Sequence, residues 1–147
     1  MAGPALDRFV AAQQGIYGEA LAELRSGAKR SHWMWFVFPQ IAGLGRSETA
    51  RFYAIAGLAE AQDYLAHPLL GARLAECTEA MLGWTGKRDP VEILGPVDAL
   101  KFASSMTLFE AAGGGECFGK ALDAFNGGQR DDATLALLAT KEHGRAP

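Results

Sequence analysis

Cysteine is scarce in this chain, cationic excess is absent, and no apolar run is long. The two cysteines, Cys77 and Cys117, form no CxxC pair and no zinc-type spacing, which excludes a disulfide framework and a thiolate metal site. Two reduced, half-buried thiols in a cytoplasmic protein are expected instead. The formal net charge is −3. Gripping a phosphate backbone takes a broad basic face, so nucleic acid is not expected as a partner. No apolar stretch approaches the ~20 residues that span a bilayer, so no membrane association is expected either. The opening "MAGPALDRF" has no basic region followed by an apolar run, and no signal peptide is expected. There is no GxSxG and no Walker loop. "GLGRS" lacks the third glycine, the preceding strand and the downstream acid of a dinucleotide fingerprint, so no cofactor is implied. His32, His67 and His143 fit no metal spacing, and no metal site is expected.

What is present is the makings of a core. Hydrophobic residues are 49% of 147 and charged residues 21%, enough for one globular domain. Leu6, Phe9, Val10, Ile16, Tyr17, Leu21 and Leu24 recur at helical spacing, and Ser26-Gly27 stops the helix. "ETARFYAIAGLAEAQDYLA" is helical in pattern, interrupted at Gly57, and ends before His67-Pro68. Leu70, Leu74, Cys77 and Met81 mark the next helix. In "DPVEIL", Asp89 is a cap, Pro90 suits the first position and Glu92 completes a capping box. "VDALKFASSMTLFEAA", "ECFGKALDAFNGG" and "DDATLALLATK" supply three more, the last capped by Asp131 or Asp132. No alternating strand pattern, repeat or linker occurs. The expectation is an all-α single domain of about seven or eight helices, several short, over residues 5–141, with 142–147 a tail.

Two stretches carry more than packing needs. "KRSHWMWFVFPQ", residues 29–40, reads as a short buried helix over about 32–38, capped by Ser31 and closed by Pro39. Its aromatics, Trp33 and Trp35 among them, read as core. His32, with Lys29 and Arg30 beside it and Gln40 and Arg46 after it, reads as surface and turn chemistry or as the edge of an anion site. In "VDALKFASSMTLF", residues 97–109, Phe102, Met106 and Phe109 form one apolar arc, and Val97, Leu100 and Leu108 a second. A helix so patterned is buried on most of its girth. Asp98 and Lys101 are three apart, and Lys101 and Ser105 four apart, so they meet on one face with Ser104 nearby. Either they form an internal pair with serines bonded back to the helix, or the lysine awaits an anion. Gln13 interrupts the apolar face of the first helix and must be a structural tie or a ligand contact.

The segments "LDRFVAAQ", "ELRSGAKRSHWMWFVFPQIAGLGRS", "YLAHPLLGARLAEC", "LKFASSMTLF" and "DDATLALL" resemble a bacterial family catalogued as domain of unknown function eighteen-ten, some of whose members are labelled calpastatin. The resemblance runs from about Leu6 to Leu138. It implies one mostly helical domain with a fold seen in a mycobacterial hypothetical protein, and no established activity. The calpastatin label has no support in these residues, since an inhibitor of that type is a disordered repeat protein.

Two functions follow as expectations. One is a small-molecule-binding domain for an anionic, nucleotide- or sugar-phosphate-like ligand, with hydrolysis as an extension. Gln13, Trp33, Trp35, Gln40, Arg46, Lys101, Ser104 and Ser105 would line that site, with His32 the acid/base candidate. The other is a helical protein–protein interaction module without catalysis, which requires an exposed apolar patch.

Overall fold

The computed structural model describes residues 4–145. Residues 1–3 and 146–147 and the side chains of residues 4 and 142–145, His143 among them, lie outside it. After a 3-10 turn at Pro4–Leu6 come ten helices: α1 Asp7–Gln13, α2 Tyr17–Ser26, α3 Met34–Val37, α4 Glu48–Phe52, α5 Leu58–Ala66, α6 Leu70–Leu82, α7 Pro90–Leu94, α8 Pro96–Ala111, α9 Glu116–Phe125 and α10 Asp132–Arg145. α10 therefore continues to Arg145, inside the stretch read as tail. The all-helical expectation holds; the count of seven or eight does not.

Two helices of the sequence reading are each split. The first breaks at Gly15, whose φ of 78° lies in the left-handed region, and resumes after Ile16. The second, read as interrupted at Gly57, does resume after that glycine at Leu58, but it already breaks after Phe52, because Ile55 leaves the helix to bridge Ile41 in parallel. Ile55 N–H donates to Gln40 O at 2.9 Å, and Ala42 N–H donates to Ile55 O at 2.8 Å. Arg8 pins the same segment by donating to Phe52 O and Ala54 O, each at 2.7 Å. Residues of helical period thus supply a turn at one break and a bridge residue at the other, which period alone does not reveal.

Other local signals act as read. Gly27 closes α2 at φ 77°, and Asp89 and Glu92 form both halves of the capping box at α7. Asp131 caps α10 by accepting from Thr134 N–H at 3.1 Å. Ser31 does not cap α3: its hydroxyl donates to Glu23 Oε2 at 2.6 Å, and α3 starts later and ends sooner than expected.

α8 lies at the centre of the core, packed by α5, α7, α9 and α10. Two chains of aromatic contacts run through it. Phe9 meets Tyr64, Tyr64 meets Phe109 and Phe109 meets Phe118. Trp33 meets Phe38, which meets Phe102 edge-on at 5.0 Å, and Phe102 meets Phe125. The helix is not buried on most of its girth throughout. Residues Phe102 and Ser104–Phe109 are buried, but Val97 is 64% and Leu100 73% exposed. The first turns of α8 emerge from the α7 corner at the edge of the domain, where nothing covers that arc. Among the described residues no helix is long and apolar enough to cross a membrane. Cys77 is buried and Cys117 half-buried, both free, and burial pushes the Cys77 thiol up to about 12.

Candidate functional site

Glu23 organises the approach to the site. On α2 it follows Ala20 by three, on the buried side of the helix. Its carboxylate accepts from Arg30 N–H at 2.7 Å, Ser31 N–H at 3.0 Å, Ser31 Oγ at 2.6 Å and Trp33 Nε1 at 2.9 Å. Burial works to raise its pKa, but the Ser31, Arg30 and Trp33 donors outweigh burial and hold it down at about 2. With Trp33 tied to Glu23 and fully buried, α3 turns Trp35 to the half-buried side.

Trp35 forms one wall of a cleft of about 440 Å³. Gln40 and Arg46 enter it from the loop after α3, and Lys101 and Ser104 from α8. Ser47, before α4, and Asp131, at the start of α10, complete the polar lining. Gly45 lets that loop lie against α4, since a Cβ there would come within 2.5 Å of Ala50 Cβ. The turn before α10 is locked by Arg130, whose Nε donates to Glu110 Oε1 at 2.8 Å. That guanidinium holds the Glu110 carboxyl below its ordinary range, against the opposing effect of burial.

The electrostatics turn on a shared carboxylate. Asp98 pairs with Lys29 at 3.0 Å and more loosely with Lys101 at 3.6 Å. Each lysine also lies over a tryptophan: Lys29 Nζ is 5.3 Å from the Trp33 ring centroid and Lys101 Nζ 4.2 Å from that of Trp35. Lys101 therefore reaches the cleft half-neutralised and braced on the indole face. Arg46 is exposed and, among the described residues, makes no ion pair. Ser104 Oγ lies 3.1 Å from Leu100 O and 3.0 Å from Asp131 Oδ2.

Five residues singled out in the sequence thus share one cleft: Trp35, Gln40, Arg46, Lys101 and Ser104. Four others line no part of it. Gln13 is a structural tie: its Nε2 donates to Phe36 O at 2.7 Å and Tyr64 Oη at 3.3 Å, while Oε1 accepts from Arg73 at 3.2 Å. Trp33 is sealed in the core, so its ring offers no face for stacking. Ser105 is fully buried with no hydrogen-bond partner for its hydroxyl. His32 is exposed at the surface, outside the cleft, which separates it from the groups it would serve. Asp131 was legible only as a helix cap, because nothing local shows that α10 starts beside α8. Glu23 went unread, although a carboxylate on an apolar helix face, close to the donor-rich "KRSHW", was a usable signal. Among the described residues no group of His, Cys, Asp and Glu is placed to hold a metal ion.

The crystal structure of the conserved hypothetical protein Rv1873 from Mycobacterium tuberculosis is similar to this chain, with 51% identity and a TM-score of 0.88. The match covers 91% of this chain and 96% of that one. No curated protein matches the chain. The family described as Protein of unknown function (DUF1810) matches residues 4–138, and the chain belongs to that family.

Proposed function

We propose that the cleft between the 35–47 segment and α8 binds a small anion with a flat portion, of the nucleotide or sugar-phosphate kind. The observation that carries this reading is the convergence of Arg46 and Lys101 on one cleft walled by Trp35. Arg46 supplies a planar fork of donors suited to phosphate oxygens. Lys101 needs little rearrangement to serve an incoming anion, because Asp98 keeps its closer partner Lys29 when Lys101 turns away. Trp35 and the amide of Gln40 orient what lies between. The volume of about 440 Å³ falls within the range of small-molecule sites. The reading stops at binding, since His32 stands outside the cleft and supports no hydrolysis there.

The test is thermal stabilisation by nucleoside monophosphates and sugar phosphates. A ligand at a hundred times its Kd should stabilise the protein by about 2.7 kcal/mol. Arg46→Ala should keep the ligand-free Tm, since Arg46 is exposed and pairs with no carboxylate, and lose most of the ligand-induced rise. No rise from any such compound at saturating concentration sinks the proposal.

One observation favours the second reading, an interaction module. Val91 and Leu100 are exposed beside an apolar groove of about 240 Å³ walled by Pro90, Phe102, Leu122 and Phe125. A protein partner seated there would be weakened by Val91→Glu, at a residue that lines the groove and not the cleft, and indifferent to Arg46→Ala.

A further inference from the structure

We infer that Asp131 sets the ligand class of the cleft, accepting a hydroxyl group of a phosphorylated sugar whose anionic oxygens go to Arg46 and Lys101. This rests on the anion-binding reading above and narrows it. All the side-chain hydrogen bonds Asp131 makes among the described residues fall on one oxygen. Its Oδ2 accepts from Ser104 Oγ at 3.0 Å, Thr134 N–H at 3.1 Å and Thr134 Oγ1 at 2.5 Å. The other oxygen, Oδ1, keeps its acceptor capacity on a residue that lines the cleft. No cation among the described residues lies within ion-pair distance of it.

The carboxylate is also fixed before any ligand arrives. Asp131 N–H donates to Thr107 Oγ1 at 2.9 Å, and that hydroxyl is itself held 2.8 Å from Ala103 O on α8. With the Thr134 bonds on the α10 side, the residue is anchored to both helices. A rigid acceptor with a spare oxygen needs a donor on the ligand. A bare anion offers none and is repelled by it, while a neutral sugar leaves Arg46 and Lys101 unanswered. A hydroxyl-bearing phosphate satisfies both ends. Binding a ligand built only of acceptors would leave Asp131 Oδ1 desolvated without a partner, which is the usual source of discrimination at such sites.

The experiment is isothermal titration of the full chain at about pH 8, where a phosphate monoester is doubly ionised and has no donor, with ribose 5-phosphate, methyl phosphate, ribose and phosphoethanolamine. Ribose 5-phosphate should bind about tenfold more tightly than methyl phosphate, the size of one hydrogen bond to a charged group. Ribose alone should bind most weakly. Asp131→Asn retains a good helix cap, and should lose most of the preference for the sugar phosphate, because a neutral amide replaces the charge-assisted bond, while leaving methyl phosphate no weaker. Equal wild-type affinities for the two phosphates overturn the role of Asp131 and leave the anion site standing. Tighter binding of phosphoethanolamine than of ribose 5-phosphate overturns it too, making Asp131 an ammonium site. Loss of both phosphates in Asp131→Asn marks a purely structural residue and overturns the assignment. Binding of none of the four compounds removes the anion site and this inference together. The wild-type comparison decides the matter even where the variant folds poorly.

Discussion

Glu23 lies outside the cleft, yet the start of the 29–40 stretch is arranged around its carboxylate. Four donors converge on it, one of them the indole N–H of a tryptophan with no solvent contact. Glu23→Ala would leave that N–H and two backbone N–H groups without their acceptor, at a cost of about 3 kcal/mol or more in urea unfolding. The charge itself is tested by pH. The folded pKa, about 2, lies below the ordinary 4.5, so the carboxylate's contribution is complete above pH 4.5 and disappears as pH falls toward 2. Glu23→Gln should therefore be less stable than the wild type near neutrality, with the difference closing across that window. A constant difference in Tm from neutral pH down to the acid limit would show that Glu23 acts by shape alone. The Trp33–Trp35 contrast has the same origin: two positions apart in sequence, they are a core anchor and a cleft wall because Glu23 captures the first.

Helix ends in this fold depend on glycines whose similar backbone angles conceal different surroundings. Gly15 and Gly27 have φ of 78° and 77°. A Cβ at Gly15 would meet nothing within 4 Å, whereas one at Gly27 would come within 2.8 Å of the Trp84 ring. That ring cannot easily retreat, because its Nε1 donates to Leu24 O at 2.9 Å. Gly15→Ala should cost about 1–2 kcal/mol, the left-handed penalty alone. Gly27→Ala should add the cost of overpacking, about 1–3 kcal/mol more. Equal shifts in denaturation midpoint for the two variants would contradict this account. α8 shows the opposite case, one helix with two environments. Its apolar arc at Val97 and Leu100 follows the same period as Phe102 and Met106, but only the latter pair is covered. Periodicity states which residues share a face and is silent on whether another element covers it.

At the scale of the molecule, the two stretches meet at two places, Phe38 on Phe102 inside the core and Trp35 under Lys101 at the cleft. Phe38 and Phe102 are both buried, with rings edge-on at 5.0 Å, and Lys101 over Trp35 continues the contact to the surface. A double-mutant cycle of Phe38→Leu and Phe102→Leu should give a coupling of about 0.5–1.5 kcal/mol. Strictly additive losses would mean that the two stretches do not share an environment. The same junction relates stability to the cleft: the aromatic seam sets the separation of α3 and α8, and that separation sets the width between Trp35 and Lys101.

Much of this was legible in order along the chain. Helical class, the Gly27 stop, the Asp89–Glu92 box and the Asp131 cap are local, set by side chains acting on backbone within a few residues. The cleft was legible in half, because Trp35, Gln40, Arg46, Lys101 and Ser104 are polar or aromatic beyond what packing asks. Tertiary structure alone decided the rest. Gln13 and Ser105 look like site residues until their surroundings are known, and the long-range bonds to Phe36, Tyr64 and Arg73 are what make Gln13 structural. Glu23 and Asp131 look ordinary until the chain folds back, because a carboxylate's role depends on which donors lie within 3 Å of it. That proximity belongs to residues distant in sequence, and no local pattern encodes it.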